Sequence, residues 1–455
     1  MSGKPPFARL SRTGHARAIL ALGLPLVGSH IAQMALHVTD TVMLGWYGVV
    51  ELASVVLGAS TFFILFILGS GFAQAVMPMV AQALGRGDET QVRRDARMGL
   101  WLSIGFGLLT YPLFWWSSPV LLGLGQQADV AALAQDYLRI AGLGMLPALL
   151  VMVLKSYLAA LERTQVVLWA TIAAVVFNAG LNWALIFGNA GAPEMGVRGA
   201  AIASTATQFL TLAVLLAYAH WQPDLRRFHL FQRFWRPDWQ AFARVFRLGW
   251  PIGLTGLAEG GLFQASALMM GWIGTVELAA HGIALEVAAL AFMVHLGLSN
   301  AATVRAGRAI GADDVQGLRD GAMLAIALSL GFGLGMVVLF VTLPGQIVSL
   351  FVDVSNPNTA AIITFGSRLL VLAALFQIAD AVQVMALGLL RGLQDTRAPM
   401  WLASVSYWLI GIPASYVLAF PMGFGGPGLW MGLTVGLTVA AALLMTRFWM
   451  RAPAV

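Results

Sequence analysis

Asp40, Glu259, Glu286 and Asp380 stand in stretches of the chain that are otherwise almost entirely apolar. If those stretches cross a bilayer, each acid costs about 2.5–3.5 kcal/mol at a helix centre, so one that persists needs a partner or a task. The task that suits them is cation chemistry. Clustered oxygens hold a hard cation such as Na⁺, and a carboxyl in apolar surroundings can carry a proton. Gln33, His37 and Asp40 are spaced four and three residues apart, which sets them on one helix face, and Asn178 with Asn182 forms an i,i+4 pair. Together these suit an oxygen-rich cavity in the first half of the chain. Glu259, Asp380 and Glu286 are expected to build a cation site in the second half, with Asp40 a further cation-coupling candidate, and Gln383, three residues after Asp380, is counted with the polar cavity residues. The competing role for each of these groups is a structural interhelical hydrogen bond. His37, His281 and His295 read as hydrogen-bonded packing residues before they read as a proton relay. No His/carboxylate spacing matches a structural metal site.

The elements that hold these residues must be membrane helices. Of 455 residues, 59% are hydrophobic and 10% charged, and the mean hydropathy is +0.82; soluble domains carry about 25% charged residues. Runs long enough to cross about 30 Å of hydrocarbon recur along the chain. Twelve are expected, near 16–42, 52–79, 98–122, 133–158, 166–188, 197–220, 247–271, 279–304, 321–350, 361–389, 398–420 and 428–449. They are continuous rather than alternating, which points to helices and not barrel strands. The first run follows a basic N-terminus, but its length and its mid-chain counterpart at 247–271 argue against a cleaved signal. The absence of cysteine excludes disulfides and thiolate metal sites.

Charge placement sets the expected topology. Of 26 Lys and Arg, 22 fall in the N-terminal tail, in the loops after even-numbered runs, or at the C-terminus; Arg139 and Arg198 fall on the opposite side, and Lys155 and Arg368 within runs. By the positive-inside rule both termini are cytoplasmic. The same placement accounts for the net charge of +6 without a nucleic-acid partner. No Walker loop, H-E-x-x-H, G-x-S-x-G or dinucleotide fingerprint occurs in its required context. Energy for work must then come from an ion gradient or from the substrate's own gradient.

The chain repeats itself. GLPLVGSHIAQMALHVTDTVMLGWYGVVELASVVLG at 23–58 matches GWPIGLTGLAEGGLFQASALMMGWIGTVELAAHGIA at 249–284, pairing Pro25 with Pro251 and Glu51-Leu52-Ala53 with Glu277-Leu278-Ala279 at one offset of 226 residues. Six runs per half bring each half back to its starting side, so a pseudo-twofold axis along the membrane normal relates the halves, as in transporters with parallel repeats. The expected organisation is an N-terminal six-helix lobe at 1–220, a basic cytoplasmic linker at 221–246 and a C-terminal six-helix lobe at 247–455. In the linker, Phe228, Phe231, Phe234 and Trp235 suggest contact with the membrane surface and its anionic lipids. Gln33 in the first repeat becomes Glu259 in the second, and Asp40 becomes Ser266. The two halves therefore carry their acids at different depths.

With these residues in view, the sequence resembles the multidrug and toxic compound extrusion (MATE) family, in its NorM-like bacterial branch. The resemblance covers nearly the whole chain. It rests on Pro25 followed by Asp40-Thr41-Val42-Met43-Leu44-Gly45, on Gly85-Arg86-Gly87-Asp88, and on Asn178 with Asn182. It also rests on Glu259, and on Asp380-Ala381-Val382-Gln383 followed by Leu390-Arg391-Gly392-Leu393-Gln394-Asp395-Thr396. The resemblance implies two six-helix bundles that export organic cations in exchange for Na⁺ or H⁺. It assigns Asp40, Asn178 and Asn182 to the polar cavity of the first lobe, and Glu259 and Asp380 to the cation site of the second. The sequence departs from the family pattern at Glu286, where a neutral polar residue, often Asn, is usual; an extra acid there bears on the choice of ion.

The expected protein is thus an all-α integral membrane protein of the bacterial inner membrane, with twelve spans. It acts as a monomeric antiporter for small organic cations, among membrane lipids, with no cofactor beyond the coupling ion. A lipid-linked precursor flippase of the same superfamily is the alternative; it should carry basic residues inside its cavity, whereas the cavity candidates here are acidic. An intramembrane enzyme would need paired catalytic groups on facing helices, which Asp40, Glu259 and Asp380 do not form as a motif.

Overall fold

A computed structural model describes residues 11–352 and 357–453; Lys4 and Arg9 of the basic N-terminal tail lie outside them. The described chain is helical. The first repeat supplies α1 (Arg12–Tyr47), α2 (Val49–Gly85), α3 (Glu89–Trp115), α4 (Ser117–Gly123), α5 (Ala128–Ala141), α6 (Met145–Ala160), α7 (Thr164–Phe187) and α8 (Gly196–Trp221). A single turn, α9 (Pro223–Arg226), lies in the linker. The second repeat supplies α10 (Trp239–Ile273), α11 (Thr275–Gly311), α12 (Val315–Thr342), α13 (Pro344–Ser349), α14 (Thr359–Gly392), α15 (Arg397–Val405), α16 (Ile412–Ala419) and α17 (Gly425–Arg451), with a π-helical segment, Ser406–Gly411, joining α15 to α16.

Among the described residues, eleven spans are long and apolar enough to cross a membrane. The protein is a multi-pass membrane protein. The expected run at 247–271 lies in α10, which has 35 residues but is not among the eleven. Six glycines between Gly249 and Gly271, together with Glu259 and Gln264, hold its hydropathy down. Large apolar side chains such as Leu24, Leu109, Val338 and Leu375 are exposed, as lipid-facing residues must be.

The repeat written in the sequence is carried into local geometry. Gly48 and Gly274, 226 residues apart, are both extended and separate α1 from α2 and α10 from α11. Asp88 and Asp314, at the same offset, cap α3 and α12 by accepting from the backbone N–H of Gln91 (2.9 Å) and Gly317 (2.8 Å). Just before each cap the chain turns through positive φ, at Gly87 in one repeat and at Asp313 in the other.

Two compact units emerge. One comprises residues 28–254, the other residues 1–27 with 255–455. Both divisions fall inside long helices, just after Pro25 in α1 and Pro251 in α10, and not at the 221–246 linker where the sequence reading separates the lobes. Proline removes one intrahelical hydrogen bond at each place. The start of α10 packs through Ala241, Val245, Leu248 and Ile252 onto Phe72, Met79 and Met98 of α2 and α3. Gly71 allows the closest approach: a Cβ there would lie 2.4 Å from the Gly249 carbonyl oxygen. In the other unit Gly297, the counterpart of Gly71, meets the backbone of Val27 in the same manner. Small residues at these contacts let membrane helices touch backbone to backbone.

The linker is tied to α3. Arg97 donates to the carbonyls of Gln232 (3.3 Å) and Arg233 (3.1 Å), Trp101 Nε1 donates to the Phe234 carbonyl (2.9 Å), and Arg94 pairs with Asp238 (2.5 Å). Phe228, expected on the membrane surface, is instead buried against Tyr157, whereas Trp235 is exposed.

Candidate functional site

In the unit of residues 28–254, three helices converge on one carboxylate. Asp40 of α1 accepts from Asn182 Nδ2 of α7 (2.5 Å) at Oδ1 and from Ser204 Oγ of α8 (3.0 Å) at Oδ2. Asn182 Nδ2 also donates to Asn178 Oδ1 (3.1 Å), one turn away, and both asparagines are fully buried. The structure therefore brings Asp40, Asn178 and Asn182 together as the sequence suggests. Ser204 is an addition; it sits among Ala200, Ala201 and Ala203, and nothing in its spacing marks it. The buried Asn182 Oδ1 has no partner. It is an acceptor oxygen beside a carboxylate, a donor set suited to a hard cation or an ammonium group.

Gln33 and His37, on the same face of α1, line a small cavity of about 40 Å³. Polar groups reach it from Thr171 of α7 and from Thr207 and Gln208 of α8. Lys155 of α6 also lines it, which sequence alone records only as a cation within an apolar run.

The unit containing residues 255–455 holds a different cluster. Glu259 of α10 lies close enough to Asp380 of α14 for the two carboxylates to act on each other. Gln383, one turn after Asp380, has its amide against the Glu259 carboxyl and donates Nε2 to the Tyr407 hydroxyl. Arg391, from the end of α14, exerts its charge on Glu259. Asp380, Gln383 and Tyr407 are buried, and Glu259 Oε1 and Gln383 Oε1 are buried oxygens with no partner. A bare anion pair is poorly tolerated there; a proton or a small cation among those oxygens relieves it.

The backbone explains how Tyr407 gets there. It lies in the π-helical segment, which ends two residues before Pro413; that proline cannot donate the hydrogen bond that would keep α15 and α16 in one regular helix. Its neighbour Trp408 donates Nε1 to the Ala258 carbonyl (3.1 Å), pinning the segment to α10 one residue before Glu259. Gly261 leaves room for that ring, since a Cβ there would lie 2.7 Å from Trp408 Cζ2.

Glu286 makes no hydrogen bond or ion pair among the described residues, and the acid that acts on Asp380 is Glu259. The histidines divide as well. His281 accepts at Nδ1 from Trp430 Nε1 (3.0 Å), so its Nε2 carries the proton and faces Ser266 Oγ (3.3 Å). Ser266 is the repeat counterpart of Asp40, so that place holds packing in one half and an acid in the other. His295 pairs through Nδ1 with Ser329 Oγ (2.8 Å).

The family model described as MatE matches residues 25–184 and again 251–417. The chain belongs to the MatE, or MATE, family. The two MATE segments start at Pro25 and Pro251, the same offset that relates the caps and glycines of the two repeats. A probable multidrug resistance protein NorM of Rhizobium meliloti (strain 1021) is 48% identical over 434 residues, covering 95% of this chain and 93% of the relative. A protein of the same description from Agrobacterium fabrum is 45% identical over an equal span, with the same coverage. A MATE protein crystallised in complex with MaL6 superposes with a TM-score of 0.88 at 20% identity over 96% of each chain, which speaks to the fold. MATE proteins are transporters.

Proposed function

We propose that this protein is a secondary active antiporter of a bacterial inner membrane that exports organic cations and drugs in exchange for Na⁺ or H⁺ by alternating access. In this reading it works as a monomer with twelve spans in two six-helix bundles and with both termini cytoplasmic. One observation carries the reading: a duplicated membrane fold holds a separate carboxylate cluster in each unit, Asp40 with Asn182 and Ser204 in one, Glu259 with Asp380 and Gln383 in the other. Two acid sites of different composition suit two exchanged cations, one organic and one inorganic. The relatives named for multidrug resistance support the cargo class. Transport of a fluorescent organic cation in proteoliposomes, under Na⁺ and H⁺ gradients imposed separately, tests it. Export driven by at least one gradient is the expected result; export indifferent to both would sink the antiport.

A lipid-linked precursor flippase remains the second reading, favoured by Lys155 lining the cavity beside Gln33 and His37. A single cation is a weak match for a pyrophosphate, which suits several basic groups. Flipping of a labelled pyrophosphate lipid in the same vesicles would decide for it.

A further inference from the structure

We propose that the linker between α8 and α10 is a seat for anionic phospholipid headgroups, formed by Arg226, Arg233 and Arg236 with Trp221, Trp235 and Trp239 around them. The seat lies wholly in the unit of residues 28–254 and does not depend on what the protein carries.

The linker is a fixed piece of structure. Backbone hydrogen bonds close successive turns, from the N–H groups of His229, Gln232 and Arg236 to the carbonyls of Arg226, His229 and Arg233 (3.0 Å each). His229 (φ 47°) and Arg233 (φ 51°) hold the left-handed conformation, which a non-glycine residue keeps only where its surroundings enforce it. The surroundings do so here. Leu225, Phe228 and Leu230 are buried, and Arg97 and Trp101 of α3 bond the carbonyls of Gln232, Arg233 and Phe234. Backbone acceptors and apolar side chains thus face the helices. Arg226, Arg227, Arg233, Trp235 and Arg236 are left exposed on the outer side.

The charge on that outer side is uncompensated. The linker has two acids, Asp224 and Asp238, and each is held by an arginine from elsewhere in the unit, Arg163 and Arg94. Arg227 meets Glu89 at the start of α3 (3.5 Å). Arg226, Arg233 and Arg236 form no ion pair among the described residues. Three free guanidiniums on one short segment suit phosphate, which the arginine fork binds through paired N–H groups.

The tryptophans say at what level that phosphate stands. Trp221 is the last residue of α8, a membrane span, and Trp239 is the first of α10. They are 66% and 68% exposed, and Trp235 between them is 77% exposed. Exposed tryptophan at the end of a span marks the headgroup level of a bilayer. A soluble polyanion would account for the arginines and leave the three rings in water. Anionic phospholipid accounts for both, with its phosphate on the arginines and its glycerol region against the rings. The fold thus moves the lipid contact away from Phe228, which is buried, and onto arginines and tryptophans.

The test is quenching of tryptophan fluorescence by brominated lipid. The full chain is placed in nanodiscs of phosphatidylcholine with a minor fraction of phosphatidylglycerol, and the bromine is carried by one lipid or the other. The difference between wild type and Trp235→Phe isolates the signal at the linker. Corrected for abundance, phosphatidylglycerol should be preferred there by about fivefold or more, the factor that one arginine contributes at an anionic surface. Changing Arg226, Arg233 and Arg236 together to Gln should abolish the preference, and changing them to Lys should keep most of it. Arg233→Gln and Arg236→Gln alone should each lower it part-way. Arg397→Gln, at an exposed arginine of the other unit, should leave it unchanged. Melting of the triple Gln variant in detergent free of phospholipid should match wild type, because the three side chains form no ion pair in the protein. A wild type with no preference at Trp235 overturns the proposal, as does an undiminished preference in the triple Gln variant. Equal loss in Arg397→Gln overturns it too, since the preference would then belong to the overall charge. So does binding of a labelled RNA oligonucleotide or acidic peptide that phosphatidylglycerol fails to displace, which would give the arginines to a soluble partner.

Discussion

Asp380 and Glu259 bring two carboxylates from different helices, α14 and α10, to bear on each other inside one unit, with Asp380 only 2% exposed. Two like charges in an apolar interior coexist at low cost only when a proton or a cation joins them. Arg391 supplies part of that compensation to Glu259. The unpartnered Glu259 Oε1 and Gln383 Oε1 leave room for a mobile cation to supply more.

Removing either acid should therefore uncouple transport. Glu259→Gln and Asp380→Asn are expected to abolish ion-driven export at normal expression levels, because each keeps the shape and loses the charge. Glu286→Asn should leave the Na⁺ and pH dependence of export as in wild type, since the acid that acts on Asp380 is Glu259 and Glu286 forms no hydrogen bond or ion pair among the described residues. Efflux of an organic cation across a pH series, with and without Na⁺, checks all three. Wild-type coupling in both Glu259→Gln and Asp380→Asn would remove the site from the mechanism.

Tyr407 is placed to hold Gln383 in register with Glu259. Tyr407→Phe strips the hydroxyl that accepts from Gln383 Nε2 and leaves a buried amide N–H unpaired, a loss of about 1–3 kcal/mol. The variant should melt earlier in detergent and show weakened ion dependence of export. An unchanged melting temperature with unchanged coupling would mean that the amide finds another acceptor and that Tyr407 only fills space.

The sequence made some of this legible and hid the rest for physical reasons. Asp40, Asn178 and Asn182 were readable because a polar group in an apolar run is conspicuous, and helical spacing then gives its face. Glu259, Asp380 and Gln383 were readable on the same grounds. Glu286 is equally conspicuous, yet it forms no hydrogen bond or ion pair among the described residues. Ser204, Tyr407 and Arg391 earn their roles through tertiary packing: a serine among alanines, a tyrosine brought inward by a π-helical segment, an arginine at a helix end. The twelve apolar runs all lie in helices, yet α10 falls below the hydropathy of the other spans, because glycine contacts and Glu259 dilute it. The compact units divide after Pro25 and Pro251, where no change in composition marks a boundary.

Asp40→Asn should impair efflux far more than folding. An amide at this place can still accept from Asn182 and bond to Ser204, so the three-helix junction survives while the charge is lost. Export of a monovalent organic cation is expected to fall about tenfold or more, the loss of one part-buried charge contact, with melting close to wild type. Normal export by Asp40→Asn, together with low yield of Asp40→Ala, would make the residue structural.

Asp238 offers a test outside the membrane spans. Its hydrogen bonds from Arg94 (2.5 and 3.2 Å), chiefly, hold its carboxyl well below the ordinary carboxylate value, down to about 2, and the Ala241 N–H (3.1 Å) adds to this. A group whose folded pKa is depressed contributes stability that is present above its unfolded pKa and lost as pH falls through the folded one. The contribution of Asp238 is therefore complete at neutral pH and fades between about pH 4 and pH 2. Asp238→Asn isolates the charge, because the amide can still cap α10 through the Ala241 N–H. At pH 7 the variant should be less stable by about 1 kcal/mol, the scale of a well-formed ion pair near the surface. That deficit should shrink as pH drops below about 4, until the two melting curves converge. Thermal melting of both proteins in detergent across that range is the measurement. A deficit that stays constant from pH 7 to the acid limit would mean that the introduced amide disturbs the linker by its shape, and that the Arg94 ion pair adds nothing to the anchoring of α10 on α3.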